Sequence, residues 1–103
     1  MIEVRVSKWG GVCSLVVEGH AGAAPKGRDI VCAAASALVY ALDGTLRAFG
    51  AVVEGGLSPG RAVIRCGDND RVRTAFLVAA VGFAQLQASY PQFVRASFEG
   101  LSC

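Results

Sequence analysis

The chain has 103 residues, 53% of them apolar and 17% charged, and ten basic against eight acidic side chains leave a net charge of +2. That length makes one domain, residues 1–103, able to bury roughly two thirds of its unfolded surface, and so slight a basic excess argues against a nucleic-acid partner. The four cysteines, at 13, 32, 66 and 103, show no Cys-x-x-Cys spacing and are accompanied by a single histidine. A zinc site is therefore not expected, nor is a secreted disulfide framework, since the sequence opens on an alternating strand with no signal peptide, and no cofactor is expected.

Residues 2–7 alternate apolar Ile2, Val4 and Val6 with polar neighbours, the period of a half-buried strand. Lys8-Trp9-Gly10-Gly11 is a turn, with Trp9 expected to fold against its own hairpin. A second strand, 12–18, places Cys13, Leu15 and Val17 on one face, which makes Cys13 a core thiol. A helix over about 30–49 follows, with Val31, Ala35, Leu38, Leu42 and Phe49 predicted to face the sheet. Asp43 and Arg47 form an i,i+4 surface pair, and Gly50 stops the helix. Residues 51–57 and 61–66 read as a hairpin around Gly55-Gly56-Leu57-Ser58-Pro59-Gly60, with Cys66 inward and Arg61 and Arg65 outward.

Asp68-Asn69-Asp70 caps a second helix over about 71–89. Its middle is apolar all round, which predicts cover on more than one side, and Ala79 and Gly82 admit a close helical neighbour. Tyr90-Pro91 ends it, and 93–99 alternates as a last strand. The order ββαββαβ predicts an α/β (α+β) single domain, a mixed sheet with two helices on one face. The longest apolar runs, 30–42 and 75–84, fall short of the roughly 20 residues of a membrane span. A soluble cytoplasmic protein with no membrane contact is expected, its sparse surface charge implying apolar area covered by a second copy.

One stretch concentrates chemistry. Gly19-His20-Ala21-Gly22 leads through a loop rich in small residues to Gly27-Arg28-Asp29-Ile30-Val31-Cys32. Asp29 is a good N-cap, which puts Cys32 in the first helical turn beside unpaired backbone N–H groups. A helix N-terminus and a nearby imidazole are the two local devices that make a thiol nucleophilic. Asp29 can cap the helix or orient His20, and the two demands compete for the same oxygens. Ser36 lies one turn after Cys32; a hydroxyl bonded to the preceding turn's carbonyl is the expectation. The glycines suggest a lid over 21–28 that orders when substrate threads beneath it.

The Gly-His-Ala-Gly and Gly-Arg-Asp-Ile-Val-Cys-Ala-Ala-Ala-Ser-Ala-Leu segments, with twelve positions from His20 to Cys32, resemble the ribosomal-processing cysteine protease family. The segment from Ala84-Gln85-Leu86 to Ser89-Tyr90-Pro91 is similar to that family's last helix and its exit. The resemblance implies a small homodimeric α/β endopeptidase with Cys32 as nucleophile, His20 as general base and Asp29 as the acidic residue orienting the histidine. It implies a ribosomal protein substrate: the N-terminal extension of the twenty-seventh protein of the large subunit. Ala23, Pro25 and Lys26 depart from the family pattern, in which aromatic residues are common in this loop. Two other classes compete with it. One is a non-enzymatic ribosome-associated interaction module using the second helix and the Arg61 and Arg65 face; the other is a redox-sensing thiol.

Overall fold

The computed structural model describes residues 1–20 and 29–100. Its elements are β1 (Ile2–Trp9), β2 (Val12–Gly19), α1 (Ile30–Ala48), β3 (Val53–Ser58), β4 (Arg61–Gly67), α2 (Asp70–Ser89) and β5 (Val94–Glu99). The five strands form one mixed sheet in the order β3-β4-β2-β1-β5, with β1 and β5 the parallel pair. Both helices cover one face, as the element order predicted.

Alternation in the strands sorts the two faces. Ile2, Val4, Val6, Cys13, Leu15, Val17, Ile64, Cys66 and Val94 are buried beneath the helices. The opposite face is polar and bears exposed pairs: Arg5 with Glu18 at 3.3 Å, Arg61 with Glu18 at 3.9 Å and Arg95 with Glu3 at 3.9 Å. Such pairs contribute about 0–1 kcal/mol each. Glu54 lies opposite Arg65 across β3 and β4, so the face expected to be basic is mixed in charge. That weakens one of the two features offered for an interaction module, the Arg61 and Arg65 face.

The β1–β2 connection is a two-residue turn with Gly10 and Gly11 at φ 58° and 78°, the signature of a type I′ hairpin. Trp9 does not fold back onto this hairpin but stands 85% exposed. The tight turn sends Trp9 to the sheet's open face, where no helix meets it.

Helix α1 buries Val31, Ala35, Val39, Leu42 and Leu46. Leu38 and Phe49, expected on this stripe, lie elsewhere. Leu38 turns to α2, where a Cβ on Gly82 would sit 2.6 Å from Leu38 Cδ2, so the small residue admits α1 as its close neighbour. Phe49 is the C-cap residue, and the Arg71 guanidinium lies 5.3 Å from its ring centre. The helix closes in a Schellman arrangement: Gly50 N–H donates to Arg47 O at 3.0 Å and Ala51 N–H to Leu46 O at 3.1 Å. By length and composition alone α1 would suffice to cross a membrane, contrary to the expectation that no apolar run is long enough; here it lays its buried stripe on the sheet. Helix α2 buries Val72, Phe76, Ala79, Ala80, Phe83 and Leu86 but leaves Val78 67% and Val81 47% exposed. Its apolar circumference is thus covered by the sheet and α1 and open beyond them.

Asp68 knots the start of α2 to the first hairpin. It accepts from Arg73 at 3.0 and 3.2 Å and pairs with Lys8 at 3.3 Å, and the Cys13 thiol lies 3.7 Å away. The Arg73 hydrogen bond, helped by Lys8, holds the Asp68 carboxyl below its ordinary range. Burial, reinforced by the Asp68 charge and hydrogen bond, pushes the Cys13 thiol up to about 11, while burial raises Cys66 too. Both are therefore protonated core thiols, as their strand positions predicted.

Candidate active site

The ends of β2 and β4 meet where the candidate stretch begins. Gly19 N–H donates to Gly60 O at 2.9 Å, extending the ladder to the last residue of β2. Gly19 has φ +94°, and a Cβ there would collide with the Met1 carbonyl, so glycine is required for the chain to leave the strand at this point. The Met1 ammonium donates to the His20 carbonyl at 2.6 Å, fixing the backbone that carries the imidazole. The ring itself lies against the β3–β4 turn. A Cβ on Gly60 would stand 2.9 Å from His20 Nε2 and 3.3 Å from Cε1.

Cys32, which precedes Gly60 by 28 residues, occupies the third position of α1 and is half-buried. Asp29 caps the helix as predicted: its Oδ1 accepts from both Val31 N–H and Cys32 N–H at 3.0 Å, and its carbonyl accepts from Ala33 N–H at 3.1 Å. The Cys32 amide, a natural donor to an oxyanion, is therefore occupied by the cap in this state.

His20 and Cys32 line one cleft of about 340 Å³ between α1 and the ends of β2 and β4. Asp29 is not among the described residues that line the cleft. Ser36 lines the cleft and is exposed; among the described residues its hydroxyl makes no hydrogen bond to the preceding turn, contrary to expectation. Tyr40, Leu57, Ser58, Pro59 and Gly60 complete much of the wall. Reading the sequence missed Tyr40 of α1 and the four hairpin residues as site members. The hairpin's only signal was the Pro-Gly turn, whose place beside His20 depends on β4 pairing with β2. The lid expected over 21–28, with Ala23, Pro25 and Lys26, lies outside the described residues. Among the described residues no cluster of His, Cys, Asp and Glu could hold a metal ion.

A family model described as cysteine protease Prp matches residues 1–95. The chain belongs to the Prp cysteine protease family. It is similar in fold to the essential ribosomal processing protease Prp from S. aureus in complex with a covalently linked product peptide. That match has 24% identity and a TM-score of 0.85, covering 95% of this chain and 99% of that one. The S. aureus Prp structure with a substrate peptide aligns at 18% identity and TM-score 0.72, covering 95% of this chain and 99% of that one. SMU.848 from Streptococcus mutans aligns at 25% identity and TM-score 0.73, covering 96% and 94% of the two chains. No curated protein sequence matches the chain. Prp membership makes the chain a cysteine protease and accords with the ββαββαβ order seen here.

Proposed function

We propose that the protein is the endopeptidase that removes the N-terminal extension of the twenty-seventh large-subunit ribosomal protein, with Cys32 as nucleophile and His20 as base. The observation that carries this reading is that His20 and Cys32, twelve residues apart, line the same cleft, with the sulfur at a helix start. Cys13 and Cys66, by contrast, are sealed in the core. The S. aureus relative's peptide complexes support a protein substrate.

In the proposed reaction His20 takes the Cys32 proton and Sγ attacks the scissile carbonyl carbon. The tetrahedral oxyanion collapses, the C–N bond breaks, and the imidazolium returns its proton to the leaving amine. Water, deprotonated by the same imidazole, then hydrolyses the thioester. Asp29 is the third member of the site, which the resemblance casts as orienting His20, while its Oδ1 accepts one hydrogen bond each from the Val31 and Cys32 amides. For the Cys32 amide to stabilise the oxyanion, Asp29 must release it as substrate binds. Losing one such donor typically costs about 100- to 1000-fold in rate. The active form in this proposal is a homodimer, which the exposed Val78 and Val81 of α2 would suit; light scattering in solution reads this directly.

The test is incubation of the extended ribosomal protein with the wild type and with Cys32→Ser and His20→Ala. Cleavage by the wild type alone supports the assignment. Cleavage by Cys32→Ser contradicts it, and wild-type thiol oxidation without cleavage would favour a redox sensor.

A further inference from the structure

The two edges of the sheet are treated differently. At one edge, the outward N–H of Ala96 in β5 donates to Gln87 Oε1 of α2 at 2.6 Å, so a helix side chain closes that edge. At the other, β3 is exposed along nearly its whole length, and among the described residues nothing pairs with its outer side. Open edges invite another chain and are ordinarily blunted.

The hydrogen-bonding phase of β3 follows from its neighbours. Gly19 N–H to Gly60 O and Asp68 N–H to Gly11 O mark the hydrogen-bonded pairs at both ends of the β2–β4 ladder. Alternation from those ends makes Ala62, Ile64 and Cys66 bond toward β2, and Arg61, Val63 and Arg65 toward β3. Ser58, Gly56 and Glu54 are the β3 partners of those three, so the backbone groups of Leu57 and Val53 point outward.

This open edge is continuous with the catalytic cleft. Leu57, Ser58 and Arg61 line the cleft holding His20 and Cys32, and the same three residues line a second hollow of about 410 Å³ floored by Gly55 and Gly56. A Cβ on Gly56 would meet nothing within 4 Å, whereas one on Gly55, at φ +113°, would collide with the Val63 carbonyl, so the open space beside the strand is at Gly56.

We propose that the outer edge of β3 is the docking rail for the substrate main chain: an extended peptide adds as a sixth strand beside Val53–Ser58 and is led into the cleft at Leu57. Main-chain hydrogen bonds then give affinity, and alternate side chains face the two hollows. The inference rests on the protease reading and names how that site holds its substrate.

The test is a backbone N-methylation scan of a synthetic peptide spanning the cut in the extended ribosomal protein, with wild-type enzyme. A strand-added peptide turns every second N–H toward β3. Over three or more consecutive positions on one flank, outside the scissile pair, methylation should lower kcat/KM about tenfold at alternate residues and little between them. Leu57→Pro, which removes an outward N–H at an edge position that tolerates proline, should raise KM several-fold. Cleavage with uniform sensitivity, or with none, overturns the docking mode and leaves the protease intact. Failure to cut the unmodified peptide refutes the substrate assignment, and the docking mode that rests on it.

Discussion

Replacing Gly60 by alanine separates the placing of His20 from the stability of the fold. Gly60 has φ +75° and Gly50 has φ +77°, so an alanine at either position bears the same left-handed strain, about 1–2 kcal/mol. A Cβ at Gly50 would meet nothing within 4 Å, whereas one at Gly60 stands 2.9 Å from His20 Nε2. Carbon contacts settle near 3.5–4.0 Å, so the ring must retreat by about 0.5–1 Å. The imidazole ends an exposed side chain, and its retreat costs little folding energy. Its cost falls on catalysis, where a displacement of about 1 Å is worth up to about 100-fold. We expect Gly60→Ala and Gly50→Ala to melt at similar temperatures, while kcat/KM on the extended ribosomal protein falls about 10- to 100-fold for Gly60→Ala alone. The pH–rate profile of Gly60→Ala should also change shape, because the base is what moves. Equal activity in the two variants would refute the argument that the missing Cβ places the ring.

Asp29→Ala should cost about 1 kcal/mol by losing the cap on Val31 and Cys32, while Asp29→Asn, an equivalent cap, should restore thermal stability in denaturation curves. Rescue of kcat by the same variant would place Asp29's contribution in the turn that carries Cys32; loss of kcat with stability restored would place it in the carboxylate charge. Cys13 is held protonated up to about 11, above the ordinary value of 9.0. Its contribution is full below about pH 9 and is lost as pH rises toward 11, because there only the unfolded chain releases the proton. Melting temperature followed across that window should fall less steeply for Cys13→Val than for wild type. Gln87→Ala strands the Ala96 N–H at the β5 edge and should cost about 1–3 kcal/mol, read by urea denaturation.

The elements were legible because their signals are local. Period-two alternation marked β1, β2 and β4, Asp29 and Asn69 marked two helix starts, and Gly50 and Tyr90-Pro91 marked two ends. The stripe on α1 was harder. An alanine-rich helix offers several nearly equivalent apolar faces, and the choice of Val39 and Leu46 over Leu38 and Phe49 is made by α2 packing beside it. Trp9 misled because an aromatic near a turn gives no sign of which sheet face lies bare. In the site, Cys32, His20 and Asp29 stand close together in sequence, and their residue types suggested the chemistry. Gly60 and Leu57 join them only through the long-range pairing of β4 with β2, which no local pattern encodes. Ser36 reached the cleft by helical phase, but whether its hydroxyl bonds backward or faces the opening depends on what surrounds it.

The central claim is that His20 activates Cys32 in the shared cleft, and alkylation kinetics address it without knowledge of the substrate. Wild-type protein treated with a thiol reagent at pH 7 and mapped by mass spectrometry should modify Cys32 well ahead of Cys13 and Cys66, with the Cys32 rate falling at least tenfold in His20→Ala. A Cys32 rate indifferent to the histidine would contradict the account.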